Sequence, residues 1–160
     1  MSTEGNKALH EGIPQLKDAF VIIVKTEWNK EIVDKLEAGA TNVLQGQNIS
    51  HKTITVPGSF EIPFAIKSYA GSRRKKADAF IALGTIIRGD TPHFEYVCKA
   101  ITEGVLSLNM LLDVPVIFGV LTVNDEQQAL ERAGGMHGNK GDEAALTALK
   151  MIRLNRKLKK

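Results

Sequence analysis

The sequence predicts an α/β fold: a doubly wound parallel sheet of four strands flanked by helices. Three observations lead there. Four short runs are apolar or rich in β-branched residues, as strands buried on both faces of a parallel sheet are. Between them apolar residues recur at helical spacing, and this strand-helix alternation calls for right-handed crossovers. Polar, aromatic and ionisable residues follow the end of each run, where ligands bind in sheets of this kind.

Residues 20–24, FVIIV, form the first predicted strand. Ile32, Val33, Leu36, Ala40, Val43 and Leu44 follow with a helical period, and residues 52–56 make a short β-branched strand. A helix over about 60–70 accepts Pro63 in its first turn. The third strand, 79–83, precedes a helix with Phe94, Val97, Ile101, Val105 and Leu108 on one side. The fourth, 115–121, is followed by helices at about 125–133 and 142–158, separated by a glycine-rich loop over 134–141. Residues 1–17 are polar and weakly patterned, which predicts an arm that is flexible or ordered against a neighbouring subunit, with the domain proper at 18–160. Four strands leave two edges to protect, so a homo-oligomer is expected.

At 160 residues the chain is long enough for one domain with a real core and too short for two of ordinary size. A hydrophobic share of 43% with 24% charged residues describes an ordinary soluble protein. No apolar run approaches the roughly 20 residues that span a bilayer, and no signal-peptide core is visible, which excludes a membrane role and points to the cytoplasm. The single Cys98 fits a reducing compartment and reads as helix packing. Basic clusters at 73–76 and 153–160 read as a solvated loop and a cationic helix end. Without interleaved aromatics or a recognition motif, they do not point to nucleic acid. His10, His51, His93 and His137 are scattered, so no metal is implied. There is no dinucleotide fingerprint and no Ser-His-Asp order, and the tripeptide at 88–90 is a chance likeness to an adhesion signal.

Residues 84–97, GTIIRGDTPHFEYV, concentrate the chemical signal. Strand, glycine-containing turn and helix start in that order leave N–H groups pointing outward, a place for phosphate or carboxylate. Pro92 suits the helix's first turn because its missing N–H would go unused there. His93 beside it is either a proton carrier or a solvent-exposed residue on a capped helix. Trp28, the one tryptophan, either stacks on a planar heterocycle or anchors its loop. Glu61 either stabilises a helix dipole or binds a polyol, and Arg132 is either a solvated residue or a phosphate clamp. Lys140, in the run GNKG at 138–141, has neither the spacing nor the following Ser or Thr of a P-loop.

Six segments together carry a resemblance: WN at 28–29, VPGSFEIP at 56–63, the 84–97 segment, PVIFGVLT at 115–122, EQQALERAGG at 126–135 and GNKGDEAALTAL at 138–149. In order and spacing, over roughly residues 18–155, the chain resembles the lumazine synthase family. The resemblance implies a flavodoxin-like subunit and a transferase of riboflavin biosynthesis, acting at the penultimate step without a cofactor. It would condense 5-amino-6-(D-ribitylamino)uracil with 3,4-dihydroxy-2-butanone 4-phosphate to 6,7-dimethyl-8-ribityllumazine, phosphate and water.

By the same resemblance, Trp28 and Asn29, Ser59, Phe60 and Glu61, the strand-end residues Thr85, Ile86 and Ile87, and Phe118 would bind the uracil substrate. Asp90, Thr91, Arg132 and Lys140 would bind the phosphate, with Asp90 acting through its backbone because its carboxylate repels a dianion. His93 would move the proton. The continuous RGDTPH run and Arg132 set the chain apart from the related archaeal-type riboflavin synthases. The family resemblance also implies a homopentamer, with a sixty-subunit icosahedral shell favoured by the short 134–141 loop. Active sites would lie between subunits, the His93 and Arg132 regions coming from the adjacent chain or the shared boundary.

Overall fold

A computed structural model of the chain describes residues 7–160. Strand β1 (Phe20–Thr26) leads into α1 (Lys30–Gly46), and β2 (Ser50–Val56) into a 3-10 turn (Ser59–Glu61) and α2 (Ile62–Ala70). Strand β3 (Ala79–Ile87) leads into α3 (His93–Leu111), and β4 (Val116–Val123) into α4 (Glu126–Arg132). A small ribbon of β5 (Ala133–Gly135) and β6 (Gly138–Asn139) then delivers the chain to α5 (Lys140–Leu158). The four long strands are parallel, as predicted, and lie in the order β2-β1-β3-β4.

Successive side chains of a strand point to opposite faces, so each central strand feeds two cores. Val21, Ile23, Ile81 and Leu83 pack with Leu36 and Ala40 of α1 and with Leu149 and Ile152 of α5. Ile22, Val24, Phe80 and Ala82 meet Ile62 and Ile66 of α2 and Ile101 and Val105 of α3. Each of these Val, Leu, Ile and Phe side chains, fully buried, contributes about 1.5–3 kcal/mol relative to exposure. Val43, Phe94 and Val97, expected in the core, are only half-buried at its margin.

Four expectations need correction. Strand β2 is not buried on both faces: Val56 alone of its residues is buried, because β2 is an edge strand. Strand β3 does not end at residue 83. The β-branched Thr85, Ile86 and Ile87 pair with Leu121, Thr122 and Val123, so Gly84 lies inside the strand and the turn starts at Arg88. Strand β4 likewise runs on to Val123. The predicted loop at 134–141 is a ribbon, and α5 starts at Lys140 because the Asn139 side chain accepts from the Gly141 N–H at 2.8 Å. The arm expected over residues 1–17 falls partly outside the described residues. Within them, Ile13 and Leu16 pack against the chain's own core, and Arg156 donates to the Lys17 carbonyl at 2.8 Å.

Candidate active site

A cavity of about 640 Å³ opens at the carboxyl ends of β1, β2 and β3, with the start of α3 as its outer wall. Strand order reverses there, since the chain leaves β1 for β2 on one side and returns to β3 on the other. Trp28 and Asn29 come from the β1–α1 loop, and Ser59, Phe60 and Glu61 from the turn after β2. Thr85, Ile86 and Ile87 come from β3, and Thr91 and His93 from the approach to α3. Pro57, Gly58, Gly89, Phe94 and Val97 complete the wall.

The β1–α1 loop is held from several sides. Asn29 adopts the left-handed conformation, φ 56° and ψ 42°, which asparagine tolerates, and its amide donates to the Thr85 carbonyl at 2.8 Å. Thr26 Oγ1 donates to the Trp28 carbonyl at 3.1 Å. At the end of β1, Lys25 pairs with Asp34 at 2.7 Å and Glu37 at 2.5 Å, tying the strand to α1. Burial opposes the Lys25 charge, but these two carboxylates prevail and hold its pKa above the ordinary value. The loop backbone is thus fixed while the Trp28 ring stays 73% exposed, so its ring is not an anchor packed into the core. Phe60, at 65% exposure, is equally uncovered.

Gly84 explains how the turn after β2 comes so close to β3. A Cβ there would stand 2.8 Å from Ser59 Oγ and 3.2 Å from Thr26 Cγ2. Glycine therefore lets the buried Ser59 seat against the strand. Thr85, on the next rung, carries the one buried side-chain polar atom without a partner among the described residues, its Oγ1.

At the start of α3, Pro92 occupies the N-cap position and offers no side-chain acceptor. The His93 N–H makes a long 3.4 Å contact with Thr91 Oγ1. The Glu95 N–H meets the Pro92 carbonyl at 3.1 Å, so what this terminus offers an anion is chiefly the helix dipole. Just before it, the Arg88 guanidinium pairs with Glu95, which lowers the Glu95 pKa. Burial pushes the Cys98 thiol pKa up, so this residue suits packing and not thiolate chemistry. No cluster of His, Cys, Asp and Glu among the described residues is arranged to hold a metal.

Four predicted residues do not reach this cavity. Asp90 is exposed and lies off the wall, although Gly89 and Thr91 on either side are part of it. Phe118 is half-buried on β4, the other edge strand. Arg132 donates to the Gln128 carbonyl at 2.9 Å, and Lys140 is buried in a 2.6 Å pair with Glu143. The wall consequently carries no lysine or arginine. His93, by contrast, shares the cavity with Trp28 and Glu61, because β3 lies beside β1; an adjacent chain is not needed to bring it there. Sequence reasoning placed Phe94 and Val97 only on one side of a helix, and met Arg88 as the first residue of the RGDTPH run without giving its side chain a role.

An open α/β sheet with a cavity at its switch point, lined by an exposed indole, a carboxylate and a histidine at a helix start, is the arrangement of an α/β enzyme. The sequence pattern of 6,7-dimethyl-8-ribityllumazine synthase matches residues 18–156. The chain is 48% identical to the 6,7-dimethyl-8-ribityllumazine synthase of Parabacteroides distasonis over 143 residues, 88% of each chain. It is 47% identical to the protein of that name from Porphyromonas gingivalis, over 92% of each chain. With the one from Phocaeicola vulgatus it shares 46% identity, over 92% of this chain and 89% of the other. The chain belongs to the 6,7-dimethyl-8-ribityllumazine synthase family.

Proposed function

We infer that the chain condenses 5-amino-6-(D-ribitylamino)uracil with 3,4-dihydroxy-2-butanone 4-phosphate, forming 6,7-dimethyl-8-ribityllumazine in the penultimate step of riboflavin biosynthesis. The observation that carries this reading is the convergence, in one cavity of a chain of this family, of an exposed tryptophan, a carboxylate and a histidine at an open helix N-terminus. Trp28 stacks on the pyrimidine ring with Asn29 and Phe60 beside it, and Glu61 accepts from ribityl hydroxyls. Ser59 and the rung from Thr85 to Ile87 supply polar and backbone contacts. The phosphate rests at the start of α3 against the backbone of Asp90 and Thr91.

Attack of the amine on the ketone, loss of phosphate, tautomerisation and ring closure each move protons. His93 gives and takes them at the cavity mouth. The amine is already a competent nucleophile, so most of the acceleration comes from aligning two bound reactants, an effect that reaches several kcal/mol.

A wall without a cation leaves a phosphate dianion undercompensated. On this reading a neighbouring subunit brings Phe118, Arg132 and Lys140, so the working unit is a homo-oligomer. Pentamers, and a shell of twelve pentamers, are the assemblies the family likeness implies. Lys140 must then leave its pair with Glu143 or act through it. The reaction belongs in the cytoplasm, in keeping with a single unpaired cysteine. Incubating the purified protein with both substrates and following lumazine absorbance or fluorescence tests the reading. Product that needs both substrates is expected; none at all would refute it.

A further inference from the structure

Arg88 takes no part in the cavity wall, yet it ties together three pieces of chain that meet behind it. Its backbone N–H donates to the Val123 carbonyl at 2.9 Å, which fixes the residue to the end of β4. Its side-chain Nε donates to Asn124 Oδ1 at 3.2 Å, in the loop after β4. The same guanidinium pairs with Glu95 in the first turn of α3 and lies 4.2 Å above the Phe94 ring. Phe94 lines the cavity, and both partners directly follow His93.

The first turn of α3 needs such a hold. A helix start is ordinarily secured by a side chain at the N-cap, and here Pro92 has none to offer. With no side-chain cap at Pro92 and only a long 3.4 Å contact from the His93 N–H to Thr91 Oγ1, this turn is prone to fray. Fraying would move the His93 imidazole relative to the cavity. A planar guanidinium can meet a carboxylate, an amide oxygen and a ring face at once, which a point-like ammonium cannot.

We propose that Arg88 is a positioning residue for His93: it clamps the uncapped first turn of α3 to the ends of β3 and β4, and so holds the imidazole at the cavity. The inference rests on the reading of His93 as the proton carrier. The side chains of Arg88 and Glu95 are 45% and 53% exposed, so their pair adds little to global stability, and its effect falls on local geometry.

Arg88→Met keeps an aliphatic stem over Phe94 and removes the polar contacts; Arg88→Lys restores the charge without the planar fork. Arg88→Met should lower kcat about tenfold, within the loss that a misplacement of about 1 Å produces. Its KM for the uracil substrate should stay within about twofold, its melting temperature should match the parent's, and Arg88→Lys should recover part of the rate. Amide exchange over residues 93–97 should quicken in the free Arg88→Met protein. Parental kcat with parental exchange would overturn the proposal, and so would a rate loss that simply follows a fall in melting temperature. A parent protein that forms no lumazine would instead sink the functional reading, and exchange in the free protein would then decide the clamp by itself.

Discussion

A histidine near a helix start, a tryptophan in a loop and an arginine before two glycines each carry a bland meaning when taken singly. Position separates the meanings. Trp28 is too exposed to be a packed loop anchor, whereas Asn29, which the family likeness assigns to substrate, also has a structural duty through its bond to the Thr85 carbonyl. Two substitutions test the division of labour. His93→Ala should lower kcat about 10²-fold, the scale of general acid-base catalysis, with a smaller change in KM. Arg132→Ala should chiefly raise KM for the phosphorylated substrate, by removing a charge-assisted contact. Steady-state kinetics on both variants check this, and unchanged constants for both would defeat the assignment. The role of the Arg88 side chain was illegible in the sequence because its partners, Asn124 on one side and Phe94 and Glu95 on the other, meet only when β3 and β4 pair.

Elements were read from periodicity, and periodicity is good at existence and poor at ends. The run at 138–141 illustrates what lies beyond it. Its glycines have no phosphate loop to form: Gly138 takes a positive φ of 73° in the ribbon, and Gly141 serves a helix crossing. A Cβ on Gly141 would stand 1.8 Å from the Leu36 carbonyl oxygen, so α1 and α5 can cross there only with glycine in place. Asn139 seals the same junction, capping α5 with one side-chain atom and donating to the Lys35 carbonyl at 2.8 Å with the other. Gly141→Ala should therefore cost at least about 1–3 kcal/mol, since the obstacle is backbone and cannot swing away. Gly46→Ala, where nothing stands within 4 Å, is the matched control and should be neutral or stabilising. Thermal denaturation compares them, and equal melting temperatures would refute the packing argument.

For the whole molecule, the surface points outward to other copies. Leu106 and Met110, one turn apart on α3, are apolar and exposed at 62% and 80%, and Tyr96 is exposed further along, beyond the Lys99–Glu103 pair. A homo-oligomer that covers α3 accounts for them. Light scattering should find particles of five or sixty subunits, and Leu106→Glu should shift them to smaller species by placing a charge in the contact. A monomeric parent protein would contradict both the assembly and the completion of the site by a neighbour.

The alternation of strands and helices, the parallel direction of the strands, the two-faced core of β1 and β3, and the family were legible in the residues themselves. Side-chain period and motif spacing are local properties that the chain carries whether or not it is folded. The membership of the cavity was decided only by the tertiary structure. Placing β3 beside β1 sets His93 against Trp28 and Glu61, though they are far apart in the chain, while Phe118 and Arg132, on β4 and α4, fall outside. Strand order and the direction of each side chain at a strand's end are settled by packing across the sheet, which no local pattern encodes.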